Sequence, residues 1–466
     1  MTKIKFGTDG WRAIIAKEYT VDNVKRIATA TALWIKQNGG KGVVVGHDCR
    51  FAGEMFAEAT TQIMGHHGIK TYLAKGFVST PMVSLGAARL DAYMGVVITA
   101  SHNPPSYNGF KLKSSFGGPT LPAGIDAVEA LIPDDNITDE LPSLKALEEQ
   151  GLLEYTDLEQ MYYDEAAAKF DLEAIRNSGI LCAYDAMYGA GQTIMRKILP
   201  NLIPLHCDTN PGFRGQAPEP IHRNLGELSE LIKNNPNIVC GFANDGDADR
   251  IGMYDADGVF VDSHHILLLL VHYLHKYKGM SGKVVVSFSV TDKLKKLCEM
   301  YGLEYAVTKI GFKHIAEYMT TENVLVGGEE SGGIACAGHI PERDGVWMSL
   351  LVLEFMAKTG KTVKDLTDEI YELVGEFAFD RNDLHIANDL KLAIVENCKN
   401  NNYTKFGDYI VQRVETIDGY KFYLAEDKWV MIRPSGTEPV LRVYAQGPST
   451  EEVNKILAAT HATLQS

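Results

Sequence analysis

Short apolar runs alternate along this chain with longer segments whose apolar residues return every three to four positions. Residues 43–46, 94–98, 180–184, 238–240, 283–288 and 324–326 are mostly apolar pieces of strand length, the pattern of buried strands. Segments 21–37 and 293–300 carry the amphipathic helical repeat instead. This alternation predicts layered α/β domains. The sequence strand, polar loop, helix recurs three times. Beyond residue 375 the chain becomes richer in strand-like pieces such as Lys428-Trp429-Val430-Met431-Ile432.

A chain of 466 residues exceeds what one hydrophobic core sustains, so several domains are expected. Breaks fall in the acidic, proline-bearing stretch 132–154, at the turn signal Asp255-Ala256-Asp257-Gly258, and between residues 359 and 375. They divide the chain into residues 1–155, 156–257, 258–370 and 371–466. Hydrophobic content of 45% with 23% charged residues is that of an ordinary folded protein. The formal charge of -15 argues against nucleic acid or an anionic membrane as partner, yet leaves room for a small anionic substrate in a locally basic site. Residues 1–6 carry no signal-peptide core, and the lipid-like run 266–274 is too short to span a bilayer and contains His272. Seven scattered cysteines without a Cys-x-x-Cys pair suggest neither a disulfide framework nor a thiolate zinc site. A cytoplasmic protein with reduced thiols is the expectation, as monomer or homodimer.

Four loops at strand ends carry candidate chemistry. In Thr99-Ala100-Ser101-His102-Asn103-Pro104 the Asn-Pro pair drives the chain out of regular structure and presents Ser101 at the mouth of the run 94–98. Asn244-Asp245-Gly246-Asp247-Ala248-Asp249-Arg250 alternates carboxylates with small spacers, so three side chains can converge on one hard cation, and an oxygen-only set favours Mg²⁺. An EF-hand is excluded, because Arg250 and Ala256 occupy its glycine and glutamate positions; a solvated acidic turn is the remaining rival. Gly327-Gly328-Glu329-Glu330-Ser331-Gly332-Gly333 lacks the lysine of a phosphate loop, and its polar groups suit paired sugar hydroxyls, with an ordinary glycine turn as the alternative. Arg433-Pro434-Ser435-Gly436-Thr437-Glu438-Pro439 can form a phosphate nest or a surface turn with a solvated arginine. Gly7-Thr8-Asp9-Gly10-Trp11-Arg12 reads by itself as structural. So do the pairs His66-His67 and His264-His265, and Gly189-Ala190-Gly191 reads as the start of a helix.

In this order the loops resemble the motifs of the α-D-phosphohexomutase superfamily, the phosphoglucomutases and phosphomannomutases, from residue 7 to about residue 445. The resemblance implies three similar α/β domains and a smaller C-terminal α+β domain related to the TATA-binding-protein fold, around a central cleft. By position it implies a phosphorylated Ser101 with His102 beside it, and Mg²⁺ held by Asp245, Asp247, Asp249 and the serine phosphate. Arg250 sits next to the phosphoserine, and Arg12 and Lys111 supply charge at the transfer site. Glu329 and Ser331 match contacts to sugar hydroxyls, while Arg433, Ser435, Gly436 and Thr437 match a clamp on the distal phosphate. Gly311-Phe312-Lys313 and Glu342-Arg343-Asp344-Gly345 are similar to segments of the glucose-preferring branch, which makes Lys313 and Arg343 substrate contacts.

The activity so implied is the interconversion of α-D-glucose 1-phosphate and glucose 6-phosphate through glucose 1,6-bisphosphate. Mannose or glucosamine phosphate is the alternative substrate. A metal-dependent phosphatase would need water at the phosphoserine, and a non-enzymatic sugar-phosphate binder would be expected to lack Ser101 or one aspartate. Two positions depart from the family pattern. Many bacterial glucose/mannose members end the sugar loop in histidine, an acid/base candidate; here Gly333 stands there. That leaves Lys111, His102 or Arg343 to carry the proton, Arg343 least well because guanidinium hardly deprotonates. Ala248 replaces a frequent glycine in the metal loop, a change expected to be tolerated.

Overall fold

The structure, a computed structural model, describes residues 3–7, 9–135, 140–434 and 440–465. The chain divides into two compact units, 1–285 with 311–367, and 286–310 with 368–466.

In the first unit the segment Val21–Gln37 is helical as its periodicity predicts, with Thr20 accepting the Asn23 N–H at its N-terminus. The apolar runs 43–46 and 94–98 become the neighbouring parallel strands Gly42–His47 and Met94–Ile98. Their sheet runs Trp11–Ile14, Tyr107–Ser114, Met94–Ile98, Gly42–His47, Lys70–Ala74, Leu153–Thr156, with the first two strands antiparallel to their neighbours. Val43 and Val45 pack with Val24, Ile27 and Ile63 of two helices on one face. Val44, on the other face, is covered by Gly86 and Leu158. Cover on both faces is why these strands show no polar alternation.

A second sheet, Phe260–Val261, Ile251–Tyr254, Cys240–Asn244, Cys182–Asp185, Ile203–Leu205, is parallel over its last three strands. The strand predicted at 238–240 begins only at Cys240, because the Ile238 N–H is turned back onto the Asn235 carbonyl. The Asp255–Gly258 signal is the turn between two antiparallel strands, where Asp255 Oδ1 accepts the N–H groups of Asp257 and Val259. Val324–Gly328 and Ile334–Cys336 form a hairpin whose connection is the 329–333 loop. Each candidate loop in this unit therefore follows the carboxyl end of a strand, where crevices open in layered sheets.

The second unit is built on the antiparallel order Ala378–His385, Val440–Gly447, Lys428–Pro434, Tyr420–Ala425, Arg413–Glu415. Here the two-residue alternation is clean. Phe422, Val430, Ile432, Leu441 and Val443 pack on Ile394, Val453 and Ile456 of two helices, while Tyr423, Trp429, Met431 and Tyr444 face the other way. The run 266–274 lies in the helix Ser263–His272 and its continuation, and among the described residues no helix is long and apolar enough to cross a membrane.

Candidate active site

Ser101 has a left-handed backbone, φ 53°, uncommon for a side chain-bearing residue, and is 1% exposed. Such a conformation costs on the order of 1 kcal/mol and persists where its surroundings over-determine it. They do. The Ser101 N–H donates to Thr99 Oγ1 at 2.9 Å. The Arg50 guanidinium donates to the carbonyls of Ser101 (2.5 Å), Asn103 (2.7 Å), Pro104 (2.9 Å) and Tyr107 (3.1 Å). Asp48, buried beside it, pairs with Arg50 Nε at 3.3 Å and accepts Thr99 Oγ1–H. Ser101 Oγ then points at Asp245 Oδ2, to which it donates at 2.7 Å; His102 Nδ1 lies 3.4 Å away. Arg50→Lys loses the planar fork that grips four carbonyls. Turnover is expected to fall about 100-fold, the scale of a 1 Å misplacement, without loss of phosphorylatable serine. Wild-type kcat in that variant would show that the fork does not position Ser101.

The metal-type loop meets the serine loop edge to edge. A Cβ on Gly246 would stand 2.5 Å from the Ser101 carbonyl, so only glycine allows this approach. Asp245 Oδ1 is fixed by the N–H groups of Asp249 (3.0 Å) and Arg250 (3.1 Å). Ligand atoms of Asp245, Asp247 and Asp249 lie within 4.8 Å of one another, and all three side chains are fully buried. Asp247 Oδ1 and Asp249 Oδ1 are buried without a hydrogen-bond partner. Burial and the neighbouring charges of Asp247 and Asp249 push the Asp245 carboxyl well above its usual range. Orphaned acceptors and crowded negative charge fit a hard dication. Ala248 has φ 57°, so the residue found where glycine is frequent holds the left-handed conformation glycine would take without strain.

Basic side chains close around the carboxylates. Lys111 Nζ reaches Asp247 and Asp9 at 2.8 Å and Asp249 at 3.2 Å. Burial alone would pull its pKa down, but the three carboxylates outweigh it and hold the ammonium well above its ordinary value. Arg343 Nη2 pairs with Asp9 at 2.5 Å and Asp249 at 2.7 Å, and is likewise held charged. Arg12 donates to Asn103 Oδ1 at 2.6 Å and lies 3.9 Å from Asp9. Arg250 flanks Asp249 at 4.0 Å and Glu219 at 3.9 Å. Burial, then Arg250, Arg12 and Lys111, hold His102 neutral, well below its usual value. Of the three candidate proton carriers, two are therefore fixed cations and one is a neutral imidazole.

Glu329 is 4% exposed, and its Oε1 accepts the Gly311 N–H at 2.8 Å. Burial pushes its carboxyl up to about 7, against the opposing pull of Arg343. A raised carboxyl pKa favours the folded state at low pH. The contribution is complete below the ordinary value of 4.5 and is lost as pH rises through about 7. The loss is about 3 kcal/mol at most, by the conversion of pKa shift to free energy. Glu329→Gln should flatten the decline of melting temperature between pH 5 and 8 in metal-free protein. An unchanged slope would place the titration elsewhere. Ser331 is half-buried in the same loop, and Lys313 is half-buried in the first turn of Phe312–Thr321.

In the second unit Arg433 pairs with Asp418 at 3.3 Å, its Nε buried without an acceptor. Ser435, Gly436 and Thr437 lie outside the described residues. Sequence reasoning missed Asp9, Asp48, Arg50, Lys113 and Glu342. Lys113 is fully buried, 2.8 Å from Glu342 Oε2, which also accepts from Ser84. Asp48 and Arg50 follow the strand Gly42–His47, so the strand-end rule that flagged Ser101 applies to them too. Of the two histidine pairs, His66 ends the helix Gly53–His66 with His67 following it, and Asp262 Oδ1 caps the N–H groups of His264 and His265; among the described residues the aspartate triad is the only candidate metal cluster.

Comparison with known proteins places this arrangement. The four phosphoglucomutase/phosphomannomutase family models match in chain order: alpha/beta/alpha domain I over residues 3–137, domain II over 160–258, domain III over 262–374 and the C-terminal domain over 393–462. A phosphoglucomutase/phosphomannomutase of Thermococcus kodakarensis is 28% identical over 97% of this chain and 96% of its own length. The phosphoglucosamine mutase of Streptococcus mutans is 28% identical, covering 96% of both chains. A solved structure from Thermus thermophilus, titled "putative phosphomannomutase", is 34% identical with a TM-score of 0.87, covering 100% of each chain. The chain, with three α/β/α domains and a C-terminal domain, belongs to the phosphoglucomutase/phosphomannomutase family of the α-D-phosphohexomutase superfamily, enzymes of intramolecular phosphoryl transfer.

Proposed function

We propose that this enzyme interconverts the 1- and 6-phosphates of an α-D-hexose through phosphorylated Ser101 and a hexose 1,6-bisphosphate, with glucose as the sugar. The observation that carries this reading is Ser101 Oγ, buried and 2.7 Å from Asp245 in a ring of charged groups. Asp9, Asp245, Asp247 and Asp249 face Arg12, Lys111, Arg250 and Arg343. With the carboxylates ionised that ring is balanced, so a divalent cation and a dianionic phosphate enter it best as a pair.

Mg²⁺ would be held by Asp245, Asp247, Asp249 and a serine phosphate oxygen, and when bound supplies Lewis acidity that neutralises charge on the phosphoryl group. The chain's own residues do the rest. Arg50 and Thr99 hold the serine loop, so the phosphoryl group sits in one place. Arg250 and Lys111 oppose charge spreading over its oxygens, the main source of acceleration in such transfers. In the first half-reaction the bond from phosphorus to Ser101 Oγ breaks as one forms to the sugar hydroxyl, whose proton ends on the released Ser101 Oγ. The bisphosphate turns over, its other phosphate returns to Ser101 Oγ, and the serine's proton passes to the released sugar oxygen. The cycle is neutral in phosphate and in protons. Glu329 and Ser331 serve the sugar hydroxyls, and Arg433, Ser435, Gly436 and Thr437 the phosphate that is not reacting.

Glucose rests on Gly311-Phe312-Lys313 and Glu342-Arg343-Asp344-Gly345. Glucosamine and mannose are the second reading, favoured by what the similar proteins are called. The test is a mutase assay with glucose, mannose, glucosamine and N-acetylglucosamine 1-phosphates, each with its bisphosphate at catalytic concentration. The highest kcat/KM identifies the sugar. Inorganic phosphate released faster than sugar phosphate isomerises would sink the mutase reading in favour of a phosphatase.

A further inference from the structure

At Gly333, the end of the sugar loop, an added side chain would meet one residue first. A Cβ built on it would lie 2.5 Å from Arg343 Cδ, 3.2 Å from Cγ and 3.7 Å from Nε. The three nearest atoms thus belong to a single side chain. Gly333 does not have the positive φ of Gly332 (88°), so the backbone itself would accept an L-residue. What excludes one is Arg343.

Neither partner can step aside. The Arg343 guanidinium is tied to Asp9 at 2.5 Å and Asp249 at 2.7 Å, lies over the Phe312 ring at 5.4 Å, and is 5% exposed. The Gly333 backbone bridges to Arg250, and its carbonyl accepts the Glu329 N–H at 3.1 Å. A side chain at 333 and an arginine reaching Asp249 from 343 therefore compete for one volume. Arg343 Nε is buried with no hydrogen-bond acceptor, the nearest paired carboxylate oxygen, Glu342 Oε1, standing off at 4.0 Å, which leaves this N–H to donate to an incoming anion.

We propose that Gly333 is a positioning residue: its missing side chain admits the Arg343 guanidinium to the transfer site, where it donates to a non-bridging oxygen of the moving phosphoryl group. The assignment rests on the mutase reading. It gives the loop end a fixed charge in place of a side chain able to exchange a proton, and it makes Gly333 and Arg343 one functional unit.

A double-mutant cycle separates this from simple packing. Gly333→Ala should lower kcat about 100- to 1,000-fold, the range for losing one transition-state donor, with KM changed less than about threefold. Arg343→Ala should lose at least as much, and Gly333→Ala added to it should cost no more than about twofold further. Guanidinium chloride at millimolar concentration should restore part of the kcat of Arg343→Ala and of the double variant, an effect no structural role produces. In metal-free protein, Gly333→Ala should lower the melting temperature beside Arg343 and not beside Ala at that position; Arg343→Ser substitutes if Arg343→Ala does not fold. Losses that multiply, or a Gly333→Ala enzyme with wild-type kcat, overturn the proposal. A wild-type enzyme inactive on every hexose phosphate would overturn the mutase reading instead, while the melting cycle still reports whether 333 and 343 exclude each other.

Discussion

Ser101→Ala protein is expected to carry no covalent phosphate and to lose at least about 10⁴-fold in turnover while remaining folded. The size follows from the chemistry: phosphate-monoester reactions are among the slowest uncatalysed ones, with enhancements reaching about 10²¹, and removing a nucleophile leaves only binding and electrostatic stabilisation to act. The fold should tolerate the change because Ser101 Oγ makes one strong bond, to Asp245 Oδ2, whose other oxygen keeps the N–H groups of Asp249 and Arg250. Alanine neither relieves nor adds to the left-handed strain at φ 53°, since it too carries a Cβ. Arg50 grips the Ser101 carbonyl, which the substitution keeps. Intact-mass measurement should therefore find one added phosphate on wild-type enzyme and none on the variant, at nearly equal melting temperatures. Full activity in enzyme shown to be free of phosphate, without added bisphosphate, would refute the phosphoserine cycle.

The elements that position this serine were legible in the sequence because they are local. The helix Val21–Gln37 and the strand Met94–Ile98 coincide with their apolar patterns, since helix and strand periods are set by neighbours a few residues away. The charged ring was only half legible. Asp245, Asp247 and Asp249 announce themselves by spacing within one loop. Arg50 to Ser101 and Arg343 to Asp9 are pairings across tens to hundreds of residues, which no local pattern encodes. Lys113 was within reach: it stands two residues from Lys111 on the same strand, hence on the same face, and two lysines on one face of an interior strand demand buried partners. Gly333 shows the opposite limit. Read along the chain it is a missing histidine; in three dimensions it is the space Arg343 occupies.

The second large effect is expected at Asp247, the carboxylate with most to lose. One of its oxygens takes Lys111 Nζ at 2.8 Å and the Thr80 hydroxyl, while the other is buried with no partner. Burial would raise its pKa, but Lys111, Thr80 and Arg343 hold it well below the usual carboxylate range, which favours the charged form. Asp247→Asn preserves volume and the acceptor facing Lys111, which keeps Asp9 and Asp249 as counter-charges. It also turns an N–H donor toward the crowded Asp245 and Asp249. Metal-free variant should therefore melt no lower than wild type. A ligand that binds only the folded state at 100 times its Kd adds about 2.7 kcal/mol of stability. Mg²⁺ should accordingly raise the wild-type melting temperature and barely move that of Asp247→Asn, whose turnover should fall about 10³-fold or more, in keeping with the several kcal/mol such a cation supplies. If the variant keeps both the Mg²⁺-dependent shift and its turnover, the aspartate loop is not the metal site.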